Sequence, residues 1–444
     1  MVEGITFVEG GRLAHVLATR GEEHGPETPL VLEHREALVY MLDQAAELEH
    51  LIMSEYLFAV FTLKQSTDEG LTEEQLEAVK RWRRTITGIA TQEMLHLALV
   101  QNLLTAIGAS PHLSRPNLPQ PALHYPAGVQ IAFVPFGERA LRHFVFLERP
   151  EGMELEDAEG FAALDLARPM MDPEGIVPHP QDFSTVGHLY RSVADGFTHL
   201  ANRYGEKGLF IGPHDAQATA EHFRWPELVP VVDLESAHRA IGTIVEQGEG
   251  ASGDWHDAHF GRLVRVLEEY RAMRAADPTF EPARPVLPCN VRPPERGIDV
   301  PIVTDPFTIR CIDLMNVGNE LLLQSLYRYF SHTQETPEQL GLLADVAVGL
   351  MYEVLRPLGS VITRLPVGPD YPGRTAGPSF ELFYETGYFL PHREAAWIIM
   401  RERMRDAADF ATRCHDHCVP LFMPTMGKVA AALQRFADAL GAAG

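Results

Sequence analysis

Cysteine is scarce in this chain: Cys289, Cys311, Cys414 and Cys418 are the four among 444 residues. That is too few for a disulfide scaffold, and a chain of this length can bury a sufficient core without one. Basic residues are also in short supply. Lys and Arg number 37 against 61 Asp and Glu, a formal net charge of −24, which argues against nucleic acid or an anionic membrane surface as the main partner. No apolar run reaches the roughly 18 residues that a membrane span needs. The opening MVEGITFVEGGRLAH lacks the basic-then-apolar order of a secretory leader, so a cytoplasmic protein is expected. There is no nucleophile elbow and no Rossmann fingerprint, and no GK[ST] follows the glycine-containing loop at 373–381.

What is present is an ordinary globular balance, 45% apolar and 22% charged, which excludes disordered and collagen-like chains. The length alone suggests about three domain-sized units. The unusual supply is histidine, 20 residues.

Apolar periodicity predicts helices over about 35–64, 72–107, 184–204, 233–247, 254–275, 307–331, 337–363, 392–417 and 425–440. The second opens on a capping box, Thr72 with Gln75. Residues 1–34 read as an irregular or strand-like lead-in. Between 109 and 183, prolines punctuate β-prone pieces at 129–134 and 143–147, an insertion of loops and short strands. A Pro-rich stretch at 276–306 has no helical period and reads as a linker wrapping the surface. The expected architecture is therefore mainly α: a helical bundle over 35–275 and a further helical part at 307–444 packed on it.

Two helices carry acids and imidazoles where apolar residues belong. On the second, Ile86, Ile89, Glu93, His96, Val100 and Leu103 form one stripe. Glu93 and His96 then lie on the face that should be dry, where neither is cheaply buried alone. Glu-x-x-His facing inward is the ligand motif of di-iron carboxylate bundles; a buried Glu–His hydrogen bond is the plainer alternative. On the first helix, Leu38, Leu42, Ala45, Glu49, Ile52, Tyr56 and Ala59 form a stripe that includes one acid, Glu49. Glu55 sits on a neighbouring stripe as the runner-up, and His50 points roughly 100° away from Glu49, toward a supporting position or the surface.

A second half-site is less regular. Glu249 lies at a helix end between Gly248 and Gly250, and His259 shares a face with His256, Leu263, Val266 and Tyr270. Glu249 and His259 read as a Glu/His pair split between two helices by a loop; a polar cap and a satisfied helix face are the alternative. Glu246 falls on the polar face. Cys414-His-Asp-His-Cys418 is a weak zinc signal, because no second cysteine pair accompanies it.

Six segments, AAELEHLIMSEYLFAVFTLK, IATQEMLHLALVQNLLTAIGASP, FVFLERPEG, FSTVGHLYRSV, IVEQGEG…HF and AGPSFE, occur in that order. Together they resemble the ferritin-like family named for the iminophenylpyruvate dimer synthase domain of violacein biosynthesis. The resemblance covers roughly 35–440 and implies a ferritin-like four-helix bundle with a small β-containing insertion and additional C-terminal helices. It also implies a dinuclear or mononuclear metal centre, iron first with Mn, Zn or Cu as alternatives, and an oxidative role in secondary metabolism. Carried over by position, it points to Glu49, Glu93, His96, Glu249 and His259 as ligands. Where relatives commonly have Glu after a glycine, this chain has His188 after Gly187, a candidate sixth ligand. The violacein member has a long additional region without counterpart here, so its dimer-forming activity is not carried over.

The expectation is a metal-dependent oxidoreductase or oxygenase using O2 on a small, aromatic or amino-acid-derived metabolite. Tyr56 and Tyr190 would stand beside the metal as hydrogen-bond or redox partners, and an oligomer would be compatible with it. A metal-binding protein without turnover, or an interaction scaffold, is the competing expectation.

Overall fold

The first helix has no Gly or Pro to interrupt it, and in the computed structural model it runs unbroken as α1, Arg35–Thr62. The structure describes residues 30–120, 130–153, 155–161, 183–250, 255–294, 299–383 and 391–444. α2, Glu73–Ala106, starts at the expected capping box: Gln75 N donates to Thr72 Oγ1 while Thr72 N donates to Gln75 Oε1. α1 and α2 pack along one another. All the stripe residues named above on both helices are buried, the acids and His96 included.

Four further helices of ten or more residues stand in the bundle region among the described residues: α3 Glu138–Leu147, α4 Val186–Tyr204, α5 Leu234–Gly248 and α6 His259–Ala276. α4 packs on α1 and α5, and α6 packs on α3. α3 corrects the expectation of a strand at 143–147. Ala140, Leu141, Phe144 and Val145 recur at helical spacing and are buried, a period that the surrounding prolines obscured. Of the other β-prone piece, residues 130–134 form no strand, and Val129 lies outside the described residues. The lead-in at 1–29 also lies outside them.

The small sheet lies elsewhere. β1, Val286–Leu287, pairs in parallel with β2, Thr375–Ala376. This overturns the surface-linker reading of 276–306, since Phe280, Val286, Cys289 and Val303 are buried. It also shows what the glycine-containing loop does. Glu381 accepts hydrogen bonds from Val291 N and Arg292 N, and Ser379 pairs with Asn316. The loop clamps the Pro-rich stretch to the C-terminal helices.

Those helices are α7 Pro306–Phe330, α8 Pro337–Leu350, α9 Arg356–Ile362, α10 Arg393–His417 and α11 Met423–Ala443. A π-turn, Met351–Leu355, joins α8 to α9. Pro357 supplies its cause, because a proline inside a helix removes an N–H and its ring crowds the carbonyl four residues back. Among the described residues no helix is long and apolar enough to cross a membrane.

A buried polar knot ties α3 to α1. His143 Nδ1 lies 2.9 Å from Asp157, its Nε2 lies 3.5 Å from Glu55, and Glu55 Oε1 accepts from Ala132 N at 2.5 Å. Glu55 is thus a fastening of the insertion. Burial disfavours a charged His143, yet Glu55 and Asp157 raise it to about 9. A group raised in the folded state stabilises fully below its unfolded value and loses that effect as pH climbs through the folded one. His143→Ala should cost about 3–5 kcal/mol at neutral pH, since it strands buried carboxylates. Urea unfolding should show that loss shrinking above pH about 9, whereas His199→Ala, at an exposed pair with Glu33, should stay within about 0.5 kcal/mol of wild type.

Candidate metal centre

Six side chains from five helices meet beside the middle of α1 and α2. Glu49 comes from α1, and Glu93 and His96 come from α2, one turn apart. The remaining three come from helix ends. Glu148 is the residue at the C-terminal end of α3, where Pro150 two residues on forbids continuation. Glu249 occupies the same position on α5, followed by Gly250 at φ 93°, a left-handed conformation that suits glycine. His259 is the first residue of α6.

Two ligand-like groupings share one residue. Glu49, Glu93 and His96 form the first; Glu93, Glu148 and His259 form the second, with donor atoms in each within 4.8 Å of one another. Glu93 faces both: its Oε2 lies 3.0 Å from His96 Nδ1 and its Oε1 lies 2.9 Å from His259 Nδ1. Glu49 Oε2 is 3.4 Å from His96 Nδ1, and Glu148 Oε1 is 3.5 Å from His259 Nδ1. The imidazole rings lie 5.4 Å apart, nearly parallel.

The outer nitrogens are occupied. His96 Nε2 contacts Gln247 Oε1 at 3.1 Å, and His259 Nε2 contacts Gln92 Oε1 at 3.3 Å. With the proton on Nε2 in each, both Nδ1 lone pairs face the carboxylates, the arrangement that partners outside the ligand set impose on metal-binding histidines. Glu93 Oε1 and His259 Nδ1 are buried without a hydrogen-bond partner, although they face each other at 2.9 Å. In that neutral tautomer they are two acceptors facing one another, which a bound cation would reconcile; a proton on His259 Nδ1 would make the same contact an ion pair.

The charge balance points the same way. No Lys or Arg among the described residues pairs with Glu49, Glu93, Glu148 or Glu249. Arg262 gives its guanidinium to Gln92 Oε1 and Thr85 O instead. Burial, then the Glu93 charge, pushes Glu49 up to about 8. Burial likewise raises Glu148, and it pushes Glu249 to about 7. Burial also opposes the charge on Glu93, yet His259 and His96 hold that carboxyl well below the usual range. Burial lowers His259, but Glu93 and Glu148 outweigh it and bring it to about 8. Glu148 and Glu249 also sit at the negative ends of helix dipoles, where a cation is favoured and a carboxylate is not.

Both tyrosines act on this cluster. Tyr190 donates to Glu49 Oε1 at 2.5 Å, and Tyr56 donates to Glu148 Oε1. Burial and these carboxylates raise both phenols well above their ordinary range, so they remain donors. Gly187 makes room for Glu249, because a Cβ there would overlap its carboxylate, while Glu151 N donates to Glu249 Oε2 at 3.1 Å.

Not every expected residue converges. His188 is buried, capped through its backbone by Thr185, but belongs to neither grouping. Glu249 also stands outside both, though it lines the same cavity as Glu49, Glu93, His96, Glu148 and Tyr190. His50 is not at the surface; it is buried against Leu113 O on another face of α1. His256 and Glu246 are exposed. Cys414 is buried and Cys418 half-buried, with burial raising both thiols, so neither is an activated thiolate. Glu148 was missed, although it stands inside the FVFLERPEG segment. Its signal was an acid at the C-terminal end of an amphipathic segment just before Arg-Pro. Gln92 and Gln247 carried no signal at all.

A sequence model of the Ferritin-like family matches residues 42–268, half of the chain. Among curated proteins, the chain is similar to dichlorochromopyrrolate synthase of Lentzea aerocolonigenes, 27% identical over 415 residues, covering 86% of this chain and 39% of that protein. It is also similar to 2-imino-3-(indol-3-yl)propanoate dimerase of Chromobacterium violaceum, 27% identical over 397 residues, covering 82% of this chain and 36% of that protein. The chain therefore spans under two fifths of the length of the relatives it matches. A ferritin-like protein of Caulobacter vibrioides solved by crystallography aligns with TM-score 0.43 and 19% identity, over 70% of this chain and 94% of that one. The family match falls on the helices that build the cluster and agrees with the resemblance carried by the ordered segments: this chain belongs to the Ferritin-like family.

Proposed function

We propose that this chain is a metal-dependent oxidoreductase or oxygenase of secondary metabolism, with an iron pair as its cofactor and O2 and a small aromatic or amino-acid-derived metabolite as substrates. The observation that carries this is the convergence of buried carboxylates and two inward-facing Nδ1 atoms, with no Lys or Arg paired to them among the described residues. In this reading Glu49, Glu93 and His96 would hold one ion and Glu93, Glu148 and His259 the other. Glu249 supplies a further carboxylate, completing the complement of four acids and two imidazoles known from carboxylate-bridged bundles. Such an oxygen-rich set suits Fe or Mn better than Cu or Zn.

A bound iron pair would supply electrons for reaction with O2. The chain's own residues do the rest. Tyr190 and Tyr56 hold protons at Glu49 Oε1 and Glu148 Oε1 and fix those carboxylates. Ile52, Leu147, Val186 and Ile244 wall the cavity and exclude water. The two relatives are by name a synthase and a dimerase, and the second is named for an indole-bearing propanoate; this supports the substrate class. One observation favours a second reading, metal binding without organic turnover: the cavity beside the cluster measures only about 20 Å³, room for ions and solvent alone.

Anaerobic Fe(II) loading followed by metal analysis should give close to two ions per chain. Glu93→Ala should abolish retention of both, and Glu148→Ala should lose one. Gly187→Ala, which displaces Glu249, should weaken retention without removing a ligand. Full retention in Glu93→Ala would place the metal elsewhere. Rapid mixing of the loaded protein with O2 should oxidise the iron within seconds; iron that stays ferrous would favour the second reading.

Proton competition fixes the pH dependence. Burial pushes Glu49 up to about 8 and Glu249 up to about 7, and the neighbouring carboxylates bring His259 up to about 8, so protons compete for the donor atoms as pH falls through that range. Iron retention on dialysis should rise as pH increases from about 6 to about 9. A flat profile would contradict the assignment.

A further inference from the structure

A second cavity lies away from the carboxylate cluster. It measures about 660 Å³ and opens between the α1–α2 pair and the C-terminal helices, a volume within the range of small-molecule sites. It shares no lining residue with the cavity at the cluster. On α1 it is faced by His50, Met53 and Leu57, whereas Glu49 and Ile52 face the cluster. Its floor is apolar, built by Leu322, Leu326 and Phe330 of α7 with Met94 of α2. The π-turn brings Tyr352 to the wall, with Arg356 directly after it, and π-turns are frequent at functional sites.

Its charge runs against that of the molecule. In a chain of net charge −24, this cavity is lined by Arg83, Arg84 and Arg356 and, among the described residues, by no Asp or Glu. None of the three arginines makes an ion pair among the described residues. Arg83 spends one terminal nitrogen on Leu63 O and Lys64 O, while its Nε is buried without a partner. Asn319, 5% exposed, also lines the cavity, and its Nδ2 is buried without a hydrogen-bond partner. Burial and the neighbouring Arg284 and Arg356 charges lower Arg83 to about 10, the mark of an uncompensated cationic group. Buried donors without acceptors are costly, and a ligand that supplies acceptors recovers that cost.

We infer that this cavity is a second ligand site, which takes an organic anion with an extended apolar or aromatic body: the body on the Leu322–Leu326–Phe330 floor, the acid group at Arg83, Arg84 and Arg356. Its occupant is separated by α1 and α2 from the residues assigned to the metal, so the site stands whether or not the metal assignment does.

The test uses two dyes with the same ring system. 8-Anilinonaphthalene-1-sulfonate carries the acid group and N-phenyl-1-naphthylamine does not; both fluoresce on entering an apolar site. Titration of the full chain should give saturable binding of one sulfonate, with the neutral dye weaker by about tenfold or more. Arg84→Gln combined with Arg356→Gln, both at exposed side chains, should weaken the sulfonate about tenfold and leave the neutral dye unchanged. Ala98→Trp, which fills the cavity from α2, should block both dyes. Equal affinity for the two dyes, no saturable binding, or insensitivity of the sulfonate to the arginine variant would each overturn the proposal. Should Ala98→Trp fail to fold, the head-group comparison and the arginine variant still decide it.

Discussion

Four glutamates within one buried region and, among the described residues, no guanidinium or ammonium paired to them: this is the constraint around which the bundle is arranged. Ionised carboxylates are not left in such a place uncompensated. Without a metal, protons fill the gap, which is why Glu49, Glu148 and Glu249 shift toward the protonated form while Glu93 stays ionised between two imidazoles. The supporting residues make sense only against this constraint. Gln92 and Gln247 occupy the outer imidazole nitrogens, the tyrosines hold Glu49 and Glu148, and Gly187 leaves space for Glu249.

The half of the site on α1 and α2 was legible because it lies within long helices. A residue in mid-helix has its direction set by the 3.6-residue period, so an acid among Leu42, Ala45 and Ile52 declares its burial. The other half is built at helix ends, where no period operates. Glu148 and Glu249 end helices, and His259 begins one. Glycines made Glu249 visible, and the family resemblance supported both it and His259. Glu148 had only its place before Arg-Pro, whereas His188 stood out because the resemblance marks that position as a departure.

The fold followed the same division. Capped, uninterrupted helices such as α2 stood out in the sequence, as did most of the C-terminal helices. Proline-rich segments did not, because proline marks where a period stops but not what lies between two stops. His143 to Leu147 therefore looked like a strand although it ends a helix. The stretch around Val286 looked like a surface linker although it is pinned by β2 and Glu381. Long-range partners of that kind, 89 and 90 residues apart in the chain, leave no local signature. The cavity over α7 has the same origin, since its walls come from helices at opposite ends of the chain.

The central claim is that the cluster is a two-metal site bridged by Glu93. Crystals of the protein loaded anaerobically with Fe(II), measured at the iron absorption edge, test it most directly. The account predicts two anomalous peaks, one between Glu49 and His96 and one between Glu148 and His259, with Glu93 touching both. An empty cluster, or iron bound instead at the Cys414–Cys418 segment, would contradict it.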